Sequence, residues 1–397
     1  MKICIVLSTR PEIIKLSSLI KIFKEKKINF SLINTNQHYL KIMSSVFFKF
    51  FNVPKPKYNV MALANNYKVF FSKAIVEIEK ILIKEKPNYL IVQGDTNTAL
   101  SGCFAASIFN QKKINKLKKI NIVHVESGLR SFNEKMPEEV NRKIIDQLSN
   151  TLFVPTTYDL NNLRNEKLIH NKYIYKVGNT ISDVIKSKKS LTKKNKILKK
   201  LKLKKKDYFL TTLHRPESID NLKNCKKLIL YFEKIGEKFS KKIIFPVHPR
   251  TAKIIKRLNI NKLKFVKFIK PLEFLDFLNL MNNCKIVLTD SGGIQEETSL
   301  LGIPCVTIRT KTERQITVRM GTNIVTGYNY KKILNAISFF EKKKLKPSKV
   351  FGNGNVAEEI FKKLKKIKNK EIKKQNFSNY IMSFIFKHKL NKFFHFT

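Results

Sequence analysis

The chain has 397 residues, a length that suggests two domains, and its 43% hydrophobic content is enough for two packed cores. No stretch reaches the ~18 apolar residues of a membrane span, residues 1–7 lack the basic start and long apolar core of a secretory signal, and five scattered cysteines without CxxC spacing suit reduced thiols in a cytoplasm rather than a zinc site or a disulfide framework. The formal net charge of +51 would suit nucleic acid or an anionic membrane, but 70 of the 80 basic residues are Lys and only 10 are the Arg that bidentate base and phosphate contacts favour, so the charge reads as background composition.

Apolar runs of strand length alternate with helical periodicity along the first half. Lys2–Leu7 reads as a strand and Pro11 opens a helix after it. Further strands are expected at residues 30–35, 89–92, 122–125, 151–154 and 173–177, with helices at 69–84, 98–109 and 139–148. The second half repeats the grammar. Strands are expected at residues 208–213, 242–247, 265–269, 285–288, 305–308 and 323–325, with helices at 273–281 and from near Ile294 to Leu301. Such alternation predicts parallel sheets covered on both faces, and two such blocks predict an α/β chain of two doubly wound domains. The expected division is 1–180, 181–355, a helical segment 356–375, and a basic aromatic tail 376–397. Residues 186–206 are lysine-dense and read as a solvated helix or linker.

In open parallel sheets, ligands bind beyond the carboxyl ends of the strands. In the first half those ends carry Ser8-Thr9-Arg10-Pro11-Glu12 with Lys15, Gln37-His38, Gly94-Asp95, and Glu126-Ser127-Gly128. In the second half they carry His214-Arg215, His248-Pro249-Arg250, Asp290-Ser291-Gly292-Gly293 and Glu313-Arg314. Ser-Gly-Gly between a strand and a helix presents backbone N–H groups at a positive helix end, which suits phosphate. Arg10, Lys15, His214 and Arg314 are placed to neutralise a diphosphate from both walls. Asp95, Glu126 and Glu138 are a different class: three carboxylates in one cleft suit proton transfer. The competing reading makes Asp95 the N-cap of the next helix and pairs Glu126 and Glu138 with Arg130 and Arg142. No His/carboxylate pair has ligand spacing on one helix, so no metal is expected.

The ordered set of motifs resembles the non-hydrolysing UDP-N-acetylglucosamine 2-epimerases over roughly residues 2–330. The residues that carry the resemblance are Ser-Thr-Arg-Pro-Glu at 8–12, Gln-Gly-Asp-Thr-Asn-Thr at 93–98, His-Val-Glu-Ser-Gly-Leu-Arg at 124–130, Pro-Glu-Glu-Val-Asn-Arg at 137–142, Gly-Asn-Thr at 178–180 and Asp-Ser-Gly-Gly-Ile-Gln-Glu-Glu at 290–297. The resemblance implies two Rossmann-like domains in the glycosyltransferase-B arrangement with the cleft between them, a C-terminal helix crossing back to the first domain, and a homodimer. It places Arg10, Lys15, His214, Phe277, Ser291, Gly292, Gly293, Glu297 and Arg314 on the UDP portion, with Phe277 near the uracil. It makes Asp95, Glu126 and Glu138 the acid/base candidates, with His214 counted among the catalytic residues. Ser8, Asn36, Pro216 and Gln315-Ile316 depart from the family pattern.

The implied activity is reversible C2 epimerisation of UDP-N-acetylglucosamine to UDP-N-acetylmannosamine, by elimination and re-addition of UDP through a glycal, to supply ManNAc for surface polysaccharide. It needs a UDP-sugar, no cofactor, no metal and no nucleic acid. Sister activities are an epimerase of another UDP-acetamido sugar, a hydrolysing 2-epimerase and a glycosyltransferase of the same architecture; a basic nucleic-acid-binding protein is the distant alternative. The aromatic and basic tail also suggests weak peripheral contact with an anionic membrane.

Overall fold

The computed structural model describes residues 1–37, 47–60, 62, 66–111, 118–193, 195–258, 260 and 263–367. His38 and the tail at 376–397 lie outside the described residues. Seven strands form the first sheet: β1 (Lys2–Leu7), β2 (Asn29–Asn34), β3 (Tyr58–Asn59), β4 (Tyr89–Gln93), β5 (Asn121–Val125), β6 (Thr151–Val154) and β7 (Tyr173–Lys176). Six form the second: β8 (Tyr208–Thr212), β9 (Lys242–Pro246), β10 (Val266–Ile269), β11 (Ile286–Thr289), β12 (Cys305–Thr307) and β13 (Asn323–Val325). The orders are β3-β2-β1-β4-β5-β6-β7 and β10-β9-β8-β11-β12-β13, and the pairings are parallel. The chain is therefore α/β, built of two Rossmann-like doubly wound units.

The run Ile3–Leu7 is buried throughout, as a central parallel strand covered by helices on both faces requires. Ile5 pairs with Leu32 on one side and Ile91 on the other. This places a topological switch point between β1 and β4; the second sheet has its own between β8 and β11. Strand order reverses there and neighbouring crossovers diverge, which leaves a crevice beyond the carboxyl ends. The four loops that leave these strands carry Thr9-Arg10, Gly94-Asp95, His214 and Asp290-Ser291.

Local differences from the sequence reading have physical causes. The edge strand β3 has two residues, too short for any periodicity to reveal it. The helix Gly292–Leu301 starts two residues early, because Ser291 takes the N-cap position in extended geometry and both glycines enter the first turn. The lysine-dense stretch holds the helices Ile181–Lys193 and Ile197–Lys200.

After the second sheet the chain returns to the first. Gly178 lies at φ +100°, and a Cβ there would stand 2.6 Å from the Phe351 carbonyl oxygen, so only glycine allows the passage. The Asn179 N–H donates to that same oxygen at 2.8 Å. Asp183 accepts from the Val356 and Ala357 N–H groups at 2.9 and 2.7 Å, at the start of the Val356–Lys366 helix. That helix lies on the helix Arg10–Glu25, with the rings of Phe361 and Phe23 6.1 Å apart.

Candidate active site

Glu12 explains how the first loop is held. Its buried carboxylate accepts from the Ser8 and Thr9 N–H groups at 2.9 and 2.6 Å and from the Thr96 hydroxyl at 2.5 Å. One side chain thus joins the loops after β1 and β4 and starts the Arg10–Glu25 helix. Arg10 lies with its guanidinium carbon 4.6 Å from the centre of the Phe47 ring. Burial pulls Arg10 below its usual range, and the Glu297 charge opposes that pull. Burial likewise pushes Glu297 up to about 7, against Arg10.

One helical turn after Arg10, Lys15 enters a buried network that joins the two halves. Its ammonium donates to Glu126 at 2.5 Å and to Glu296 at 2.9 Å. Arg314 closes the square, with Nη2 2.6 Å from Glu126 and Nε 2.7 Å from Glu296. Gln93 also donates to Glu126, at 2.6 Å, and Asn179 to Glu296, at 3.1 Å. Burial alone would raise Glu126, but the Lys15 and Arg314 charges hold it below the ordinary carboxylate range. Burial alone would depress Lys15, but Glu126 and Glu296 hold it up. The Glu126 backbone sits at φ +73°, a conformation that costs a non-glycine residue about 1–3 kcal/mol. The Glu126 and Ser127 N–H groups both donate to the Phe153 carbonyl at 3.1 Å, which holds the carboxylate there.

A second cluster surrounds Asp95, which is paired with Arg142. Arg142 also donates to Glu139 at 2.7 Å, and the Asn141 amide to the Asp95 carbonyl at 2.9 Å. Glu139 braces the following loop by accepting from the Ser131 and Phe132 N–H groups. Its neighbour Glu138 is half-buried; burial raises its carboxyl, and the Asp95 charge adds to the effect. The competing sequence reading is therefore replaced. Arg130 pairs with Asp146 and Glu166, Arg142 pairs with Asp95 and Glu139, and Glu126 pairs with Lys15 and Arg314.

On the second wall, His214 directs Nδ1 at Asp290, 3.1 Å away. The buried Asp290 also accepts from the His214 and Arg215 N–H groups at 3.0 and 2.9 Å. This fixes the ring and leaves Nε2 for another partner. Ser291 caps the helix Gly292–Leu301 by its backbone, without a side-chain cap bond, so the N–H groups of the first turn are open to an anion. A Cβ on Gly293 would meet nothing within 4 Å, which leaves that approach clear. Gly292 has another reason: its Cβ would stand 2.1 Å from Oε1 of Glu313, the carboxylate ion-paired with Arg309 at 3.0 Å and with Arg314 at 3.3 Å. Gly292→Ala is expected to displace Glu313, disturb Arg314 and weaken UDP binding about tenfold, for the 1–3 kcal/mol cost of overpacking. Isothermal titration with UDP checks this, and an unchanged Kd refutes it. Phe277 is half-buried on the helix Phe274–Asn283.

Arg10, Lys15, Glu126, Glu297 and Arg314 thus share one electrostatic neighbourhood, and Asp95 and Glu138 share another. Asp290, Glu296, Glu313, Gln93 and Asn179, present in the strand-end segments and motifs but given no individual role there, join the site as well. Among the described residues, no group of three His, Cys, Asp or Glu is placed to hold a metal, and no helix is long and apolar enough to cross a membrane.

The arrangement can hold a diphosphate against the second wall and present carboxylates from the first. The chain is 43% identical over 367 residues to the UDP-N-acetylglucosamine 2-epimerase of Methanocaldococcus jannaschii, covering 91% of this chain and 98% of that protein. A crystal structure of the M. jannaschii UDP-GlcNAc 2-epimerase in complex with UDP-GlcNAc and UDP superimposes with a TM-score of 0.84, at 42% identity, over 92% of this chain and all of that one. The UDP-GlcNAc 2-epimerase of Neisseria meningitidis bound to UDP-GlcNAc gives a TM-score of 0.82 at 28% identity, again over 92% of this chain and all of that one. With the UDP-N-acetylglucosamine 2-epimerase family model matching residues 21–365, the chain belongs to the UDP-N-acetylglucosamine 2-epimerase family.

Proposed function

We propose that this protein interconverts UDP-N-acetylglucosamine and UDP-N-acetylmannosamine by inverting C2. The observation that carries the reading is the buried square of Lys15, Glu126, Arg314 and Glu296, which sets two cations beside a proton-accepting carboxylate in one dry cleft. The C2 proton has no adjacent carbonyl to acidify it, so direct removal is too slow. Breaking the C1–O bond first sends its electron pair to the β-phosphate and gives C1 oxocarbenium character. A carboxylate then takes the C2 proton, and a C1–C2 alkene stands beside UDP. Proton delivery to the opposite face of C2 and return of the UDP oxygen to C1 complete the inversion.

Arg10, Lys15, His214, Arg314 and the N–H groups at Ser291–Gly293 would stabilise the departing UDP, with Phe277 near the uracil and Glu297 at the ribose. Asp95, Glu126 and Glu138 would handle the proton. Their environments suggest a division of labour: Glu126 is held ionised by Lys15 and Arg314, whereas burial and Asp95 favour the protonated form of Glu138. Glu126 therefore suits the base and Glu138 the acid in one direction. We place the protein in the cytoplasm, as five free, buried thiols suit a reducing compartment, and infer that it works as a homodimer that feeds ManNAc to surface polysaccharide.

Incubation with UDP-GlcNAc in D₂O, followed by NMR, tests the reaction. The expected products carry deuterium at C2 and include UDP-ManNAc. Free ManNAc plus UDP would move the protein to the hydrolysing branch, and absence of C2 exchange would refute the reading.

A further inference from the structure

One buried side chain outside the proton-handling set joins the two loops that carry it. His124, on β5, is fully buried. Its Nδ1 lies 2.7 Å from the Asp146 carboxylate and its Nε2 lies 2.9 Å from the Gly94 carbonyl oxygen. Asp146 sits on the helix Pro137–Leu148 and also accepts from Arg130 Nη1 at 2.7 Å and from the Gly128 N–H at 3.1 Å. Arg130 spends the rest of its fork on Glu166, at 2.7 and 2.6 Å. The remaining charge nearby is Lys172, whose ammonium caps the same helix through the carbonyls of Asp146, Gln147 and Ser149.

The Nε2 contact fixes one donor of the ring. A carbonyl oxygen only accepts, so Nε2 carries a proton. Burial alone would raise Asp146, but Arg130 and His124 hold it low, so both ring nitrogens face acceptors. The two ends of this bridge are informative. The Gly94 peptide, at φ +71°, immediately precedes Asp95, and its N–H is already fixed on the Val125 carbonyl at 3.0 Å. Gly128, at φ +83°, lies two residues after Glu126, and a Cβ there would stand 2.5 Å from the Asp159 carbonyl oxygen. Glycine takes both conformations without strain but restricts the backbone least, so these turns rely on outside contacts to hold one geometry.

We propose that His124 is a positioning residue, whose two ring nitrogens tie the turn before Asp95 to the Asp146 anchor behind Glu126. The proposal rests on the proton-transfer roles assigned above, but its first two tests do not depend on turnover. Long-range ¹H–¹⁵N NMR of the seven histidines should show one ring with an Nε2 proton protected from solvent exchange, missing from the His124→Gln spectrum. Rapid solvent exchange at that proton overturns the proposal. Asp146→Asn should loosen the ring and speed exchange of that proton, and this second variant serves where His124→Gln does not fold. Hydrogen exchange read by mass spectrometry should be faster in His124→Gln by on the order of tenfold at residues 93–98 and 126–131. Unchanged exchange in both segments overturns it. In the steady state, kcat for UDP-GlcNAc should fall about 10–100-fold with KM within about threefold, as expected when catalytic groups are misplaced rather than substrate lost. A normal kcat overturns it. A wild-type protein without C2 exchange would refute the proposed function alone, leaving the NMR and exchange results to decide the clamp.

Discussion

Glu126→Gln should lower kcat for C2 exchange by about 10²–10⁴-fold while UDP binds as tightly as before, or more tightly. The reasoning starts from the neighbours of the carboxylate. In the unliganded protein, Glu126 neutralises Lys15 and Arg314, the same cations that a diphosphate would use. The amide keeps the volume and one acceptor but removes both the base and the competing charge. Ground-state binding of UDP is then preserved or improved, and the loss falls on the chemical step. The pH profile follows the same logic. Glu126 is held low, so the acid limb lies below the ordinary carboxylate range; Glu138 is raised by burial and by Asp95, so activity declines as pH rises through its elevated value. Glu138→Gln should abolish that alkaline limb and cost about 10²-fold or more, as should Asp95→Asn without removing the limb. Deuterium incorporation at C2 as a function of pH checks all three. Near-normal exchange in every variant would remove these carboxylates from the mechanism.

Much of the frame behind this expectation was legible in the sequence. Apolar runs of three to six residues marked the strands because parallel strands are buried on both faces. The polar residue that ends each run marked a loop at the carboxyl edge, and two of those edges proved to be switch points. The pairing of charges was not legible. Glu126 and Arg314 are 188 residues apart, and nothing local says that they meet. Gly292 suggested a phosphate cradle, whereas the structure gives it a steric reason in Glu313. Glu296 was hidden by its neighbour, since two adjacent glutamates point to different faces of one helix. A signal did exist: residues 87–111, 120–134 and 286–310 contain no Lys at all in a chain with 70. Where composition pushes exposed positions toward Lys, a stretch without it is mostly buried. Those three stretches hold Asp95, Glu126, Asp290 and Glu296.

Arg314→Met should cost about 3–5 kcal/mol of stability and abolish measurable UDP binding. Among the described residues, Arg314 alone bonds both Glu126 and Glu296 through a planar fork, one carboxylate from each half of the molecule. Its removal leaves two buried carboxylates sharing Lys15, and a buried charge without its partner costs far more than the pair contributes. The dependence on pH has a definite sign. In the native protein the depressed Glu126 carboxyl contributes stability above its unfolded value, and that contribution is lost as pH falls through the folded value. Without Arg314 the folded value rises, so the variant's deficit should widen as pH increases from about 4.5 toward neutrality and shrink again in acid, where the carboxylates protonate. Adding Glu296→Gln to Arg314→Met should recover part of the loss, because one uncompensated charge is gone. Arg314→Lys should recover less than charge alone would suggest, since an ammonium cannot match the two-point fork. Urea unfolding of the four proteins between mildly acidic and neutral pH measures each term. Equal deficits at every pH would mean that Arg314 stabilises by packing and that the square is not an electrostatic latch.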